Sequence, residues 1–224
     1  MGTLLGASLL SASPDPPRKH LPPDLAEILK RMNEASNRLN TLSADIEYTK
    51  VTVVVNDKST QTGQFFYQKG KPPDFMIDFK NPDARTLVVK KNKAEMYLPK
   101  TNQIQEYDLG QHSELVQQFL LLGFGGDVSK LQKDFNVKLT GEVELSEDTL
   151  AVLELTPRKE SLASRLPKVQ LWISEESWLP AQQKFFEPSG DYAVARYTAV
   201  RVNRHLPSGT FEIHAKGAKR IKMQ

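Results

Sequence analysis

Two spacings of apolar residues divide this chain. Leu25, Ile28, Leu29, Met32, Ala35, Ser36 and Leu39 recur every three to four positions, with Glu27, Lys30, Arg31 and Glu34 between them. Asp24 stands where an N-cap belongs, so the spacing predicts an amphipathic helix with one apolar stripe. From Ala44 the period becomes two. Ile46, Tyr48 and the valine-rich run to Val55 read as a strand that ends at the turn signal Asn56-Asp57. Residues 62–68 follow, with Phe65 and Tyr67 on one face and Phe66 on the other. After a turn at 69–73, Phe75, Ile77 and Phe79 alternate with Met76, Asp78 and Lys80. Asn81-Pro82-Asp83 turns the chain again, and 86–90, 95–98 and 103–108 read as three more short strands.

At residue 113 the alternation stops. Leu115, Val116, Phe119, Leu120 and Leu122 predict a second short helix ending at Gly123, and Gly123 to Gly126 reads as a hinge or cap. Asp127 is placed to cap a further turn through Leu131. Strands then resume over 137–145, 149–156, 168–174, 180–187 and 192–203, with Ser189-Gly190-Asp191 as a hairpin turn. Residues 158–167 lack strand periodicity and read as a surface excursion. Phe211 to His214 is expected to be a last short strand before a Lys/Gly-rich tail.

Strands at roughly 8–12-residue intervals, separated by turn residues, favour an antiparallel meander, because parallel neighbours each need a crossover helix. The expected fold is mainly β: one curved antiparallel sheet of about eleven strands, with helices on one side. A sheet that large curls, and a curled sheet encloses space. The inward positions are then Phe65, Tyr67, Phe75, Ile77, Phe79, Leu87, Val89, Met96 and Leu98, covered by Leu115, Phe119 and Leu122 of the second helix. Periodicity alone fits a filled core as well as a hollow one.

Composition narrows the chemistry. Thirty basic and 27 acidic residues leave a net charge of +3, too balanced for a dedicated nucleic-acid binder. There is no cysteine, which excludes disulfides, thiolate metal sites and a cysteine nucleophile. His20, His112, His205 and His214 have no metal-ligand spacing. Glu175-Glu176 would point to opposite faces of a strand, and no G-x-S-x-G elbow or G-x-x-x-x-G-K-[ST] loop is present. No enzyme activity and no cofactor are expected. Leu4 to Leu10 with Ser11-Ala12-Ser13 has the form of a targeting segment without its positive region. Pro14, Pro16, Pro17, Pro22 and Pro23 then make an extended leader. The expected organisation is a leader over 1–23, one domain over 24–217 and a basic tail over 218–224; Lys216 to Lys222 are expected to be solvated, the alternative being docking to an anionic membrane or partner surface. Trp172 and Trp178 are expected to be packing residues.

The stretch 63–109 resembles the periplasmic outer-membrane lipoprotein carrier family, the LolA-like proteins. The resemblance runs through strand 63–68, Lys71-Pro72, the aromatic strand Phe75 to Phe79, Asn81-Pro82-Asp83, Leu87 to Val89, Tyr97-Leu98-Pro99 and strand 103–107. It extends more loosely over 24–217, through the opening helix, the segment 155–161, the hairpins of 168–203 and Phe211-Glu212-Ile213. It implies a half-barrel with a helical lid that carries lipoprotein acyl chains from an inner-membrane ABC-type release transporter to an outer-membrane acceptor, as a periplasmic monomer. Family members carry Arg before the proline as a lid latch. Here Lys71 stands there, a candidate latch that keeps the charge but lacks the planar fork of donors. The missing cysteine favours the soluble shuttle over a lipid-anchored acceptor, although Ser13 stands where a shifted lipobox cysteine would. The alternative is a lipid- or lipoprotein-sensing regulatory module of the same fold; a lipid esterase lacks its nucleophile motif.

Overall fold

A computed structural model describes residues 23–110, 122–124, 128–145 and 148–223. Helix α1, Leu25–Arg38, begins where the sequence places it: the Asp24 side chain accepts a hydrogen bond from the Glu27 backbone N–H at 2.8 Å. The expected first strand starts earlier and stops sooner. β1 is Thr41–Thr52, and Val53 to Asn56 form a turn into β2, Asp57–Gln68. β3 (Asp74–Asn81), β4 (Arg85–Lys90), β5 (Lys93–Leu98) and β6 (Gln103–Asp108) complete a first meander. α2 (Val128–Asp134) leads into a second one: β7 (Phe135–Leu145), β8 (Asp148–Pro157), β9 (Lys168–Ser174), β10 (Pro180–Phe186) and β11 (Tyr192–Val202). The excursion between β8 and β9 contains a short helix α3, Glu160–Ala163, and buries Leu162 and Leu166 against the sheet; it is not purely superficial.

With β12 (Lys219–Met223) as the twelfth, all strands join one open sheet in the order β12-β6-β5-β4-β3-β2-β1-β11-β10-β9-β8-β7. The two meanders meet where β1 pairs with β11, and every pairing is antiparallel except that of β12 with β6. β12 lies inside the segment expected to be a solvated tail. Phe211 to His214, expected to be a strand, lies in turns instead, with Phe211 buried. The β6 edge explains the difference. An unpaired edge strand presents a row of open backbone groups, and β12 fills it, held by Arg220, which hydrogen-bonds both Glu95 and Glu106.

This order dictates what covers what. β6 and β7 lie toward opposite edges of the sheet, so the connection between them must cross it. Leu122 and Phe124, on that connection, are buried in the interior, so it crosses the concave face. Residues 207–214 instead lie against outward-facing Met76, Asp78, Thr86 and Tyr97, so the link from β11 to β12 crosses the convex face.

β2 shifts register against β3 at Gly63, one of the irregularities that bend a sheet. A Cβ at Gly63 would stand 2.2 Å from the Asp78 carbonyl oxygen and 2.7 Å from Phe79 Cα, both backbone atoms that cannot rotate away. Gly63→Ala is therefore expected to lower unfolding free energy by about 2 kcal/mol or more, read as a shifted urea midpoint.

Candidate functional site

Strand register aligns apolar side chains in rows across the concave face. One row runs Leu42, Tyr67, Phe75, Val89, Ala94, Tyr107; the next runs Ala44, Phe65, Ile77, Leu87, Met96, Gln105. Paired residues of antiparallel strands share a face, so the predicted inward set does lie on one surface. Phe65, Tyr67, Phe75, Ile77, Phe79 and Val89 are all buried in a single cluster, with Leu87 half-buried against it. Met96 and Leu98 follow on the same face by register and are only partly buried, which puts them at its rim. Leu122 is buried too, but in a second cluster. Leu115 and Phe119 lie outside the described residues. Lys71 is exposed in the β2–β3 turn and makes no hydrogen bond or ion pair with the described residues.

The second cluster lines the other half of the concavity. It is built from Phe135, Leu153, Leu155, Val169, Leu171 and Ile173 beneath Ile28, Leu29 and Met32 of α1. Ala35 and the following Leu39 pack instead into the first cluster. The apolar stripe of α1 thus bridges both halves. Trp178 packs against both clusters, and the Arg31 guanidinium sits 4.9 Å above its ring, clasping α1 to the sheet.

Three residues that periodicity did not single out hold the crossing segment down. The Tyr197 hydroxyl donates to Gln183 Oε1 at 2.9 Å, and Gln183 Nε2 donates to the Leu122 carbonyl oxygen at 2.5 Å. Gln183 and Tyr197 are buried, so this relay runs through an apolar interior where each bond excludes water. Two residues on, Phe124 stacks 4.9 Å edge-on against Tyr197 and 5.6 Å from Phe65. Inward Ala44, Ala193 and Ala195 are small and leave room for these rings. Gly123, expected to be a hinge, is held between the two anchors: its φ is +86°, and a Cβ there would lie 2.5 Å from Pro180 Cγ. The one signal in the sequence was Gln183, a polar residue at an inward position between apolar ones.

The site carries little charge. Burial pushes the Tyr67 hydroxyl up to about 12 and the Tyr197 hydroxyl further still. Burial also raises Tyr48, at the edge of the first cluster. The described residues include no grouping of His, Asp and Glu able to hold a metal ion, and His205 and His214 lie far along the chain in the convex strap. What the arrangement offers is a broad apolar surface beneath α1 and residues 122–124. Two open pockets, each about 470 Å³, lie elsewhere: one between β3–β5 and the strap, the other beside β1, β2 and β3.

The family model for outer membrane lipoprotein carrier protein LolA matches residues 37–214 of the chain. Among solved structures, an uncharacterized conserved protein from Thermus thermophilus is 15% identical with a TM-score of 0.58, over 88% of this chain and 98% of that one. The lipoprotein LppX of Mycobacterium tuberculosis is 12% identical with a TM-score of 0.51, over 82% and 99%. MucB is 15% identical with a TM-score of 0.54, over 85% of this chain and 62% of that one. These likenesses establish a shared fold. No curated protein matches the sequence.

Replacing Gln183 with Ala orphans the buried Leu122 carbonyl and the Tyr197 hydroxyl together, and should cost about 2–3 kcal/mol. Tyr197→Phe removes one bond and should cost about 1 kcal/mol. A double-mutant cycle by chemical denaturation should show the two effects to be coupled. Raising the pH tests the same interior. Because the folded pKa of Tyr67 lies above its usual 10.0, the folded chain holds the extra proton between roughly pH 10 and 12. Stability is intact below that window and falls as pH rises through it. Unfolding followed by denaturant titration should coincide with tyrosinate absorbance.

Proposed function

The chain belongs to the outer membrane lipoprotein carrier protein LolA family, and from that premise we propose that it is a periplasmic carrier that shelters lipoprotein acyl chains on its concave face. The observation that supports this reading most is the continuous apolar lining of both halves of the sheet beneath α1 and the crossing segment, whose contacts among the described residues include Arg31 over Trp178, the Gln183 relay and Phe124 as a plug. Cargo would come from an inner-membrane release transporter and leave for an outer-membrane acceptor.

Energetics favour exchange of cover for cargo. Lifting residues 122–124 breaks the Gln183–Leu122 hydrogen bond at about 1 kcal/mol and exposes Leu122 and Phe124 at about 2–3 kcal/mol each. An acyl chain of roughly sixteen carbons gains on the order of 12 kcal/mol on leaving water, at about 0.8 kcal/mol per methylene. The guest therefore outweighs the plug it displaces. Release needs no chemistry in this chain, only an acceptor that binds the acyl chains more tightly. The rows of Phe, Tyr, Leu, Ile and Val that fill the empty interior are the surface that a guest would take over.

Mass spectrometry of organic extracts from the purified protein should find acylated lipid, and lipoproteins should be released from inner-membrane vesicles into the soluble fraction when the protein is added. Phe124→Ala should bind a fluorescent fatty-acyl probe about tenfold more tightly than the parent chain, because its guest no longer displaces a ring, while the empty protein loses about 3 kcal/mol of stability. Extracts free of acyl chains, together with no probe binding by either chain, would sink the proposal. Lipid binding without lipoprotein release would replace the carrier by a sensing module.

A further inference from the structure

The turn between β1 and β2 has the wrong chemistry for a solvent-exposed turn. Turn positions favour Gly, Pro, Asn, Asp and Ser. Here Asn56, with φ +50°, supplies the left-handed position, but Val53, Val54 and Val55 fill the rest. They are 51%, 86% and 69% exposed, and form the longest run of exposed large apolar residues among those described. The turn is also built. The Asn56 N–H bonds the Val53 carbonyl at 3.1 Å, and the Val53 N–H bonds Asp191 Oδ1 of the β10–β11 turn at 2.9 Å. Neither bond needs a valine side chain, so nothing in the fold accounts for three apolar groups held out in water.

What lies behind the tip carries the complementary chemistry. Lys50 and Lys58 flank it on β1 and β2, and Tyr192 pairs with Val51. Next to Tyr192, Lys184 lies 3.7 Å from its ring centroid and 4.7 Å from that of Phe186, while Lys168 lies 4.4 Å from that of Phe186. Acids are present: Asp57 follows the tip directly, Asp191 holds the Val53 N–H, Glu187 pairs with Lys50 at 3.3 Å and Glu154 with Lys168 at 3.5 Å, which leaves Lys58 and Lys184 without an ion pair among the described residues. Burial together with the neighbouring Lys168 lowers the affinity of Lys184 for a proton. An anion arriving there would relieve a repulsion the fold leaves in place. The apolar tip projects from one end of the sheet, and the aromatic rings and lysines lie behind it on β1, β2 and the neighbouring strands β9–β11, apolar groups foremost as a bilayer's hydrocarbon, interface and headgroups require.

We propose that Val53, Val54 and Val55, backed by Lys50, Lys58, Lys168 and Lys184, form the surface by which this protein seats on an anionic lipid bilayer. The tip lies outside both concave clusters, so seating and acyl-chain carriage stand or fall separately.

The test is flotation of the full chain with phosphatidylcholine vesicles, with and without phosphatidylglycerol. The parent chain should float with the anionic vesicles and be released by raised salt. The combined V53T, V54T and V55T variant, which keeps shape and β propensity, should partition about tenfold more weakly. Lys58→Gln with Lys184→Gln should weaken flotation on anionic vesicles only. Failure of the parent chain to float, or equal flotation of the threonine variant, overturns the proposal. So does a threonine variant that floats normally but loses self-association in sedimentation, which would make the tip a contact between two copies. Acyl-probe binding should be unchanged in all of these variants.

Discussion

An open curved sheet has one face that no second sheet covers, and that constraint governs this protein. In a β-sandwich the apolar faces of two sheets bury each other. Here the sheet is single, and its concave rows of Phe, Tyr, Leu, Ile and Val must be kept from water by whatever crosses them. Two elements do so among the described residues: α1, whose stripe spans both halves, and the segment from β6 to β7, which enters the concavity at Leu122 and Phe124. Connectivity makes the second unavoidable, because the strands it joins lie toward opposite edges. The same logic operates outside, where the link to β12 traverses the convex face and ends by closing the β6 edge.

A cover of this kind differs from an ordinary core in how it is secured. The sheet beneath it is held by long ladders of backbone hydrogen bonds, from β7 at one edge to β12 at the other. Among the described residues, the crossing segment has an aromatic interlock and one buried relay through Gln183. Removing the cover would leave the ladders intact. Local opening of such a cover would draw on far less free energy than global unfolding, which is what the proposed exchange of one apolar occupant for another requires.

Much of this was legible in the sequence, because period-two alternation maps directly onto a face. Phe65, Tyr67, Phe75, Ile77, Phe79 and Val89 were assigned inward from spacing alone, and the strand register places them there. The second apolar half was not assigned to the site, since strand spacing within β7–β10 does not reveal which distant strands complete a concavity. Gln183 stands out in the sequence only as a polar residue among inward apolar ones; its role, like that of Tyr197, depends on a carbonyl sixty-one residues away in sequence from Gln183. At the β1–β2 turn, three valines favour a strand by local propensity, and the turn won because the backbone there is pinned to Asp191. β12 was read as tail because its lysines suit solvent; the edge of β6 recruited its backbone and left its side chains there.

The central claim is that the concave face, and not the convex one, meets hydrocarbon. A photo-activatable side chain placed at Ile77, and separately at its outward neighbour Met76, would report this directly in protein loaded with acylated lipid. The account predicts crosslinks to acyl chains from position 77 and none from position 76. Equal labelling at both positions, or labelling at 76 alone, would contradict it.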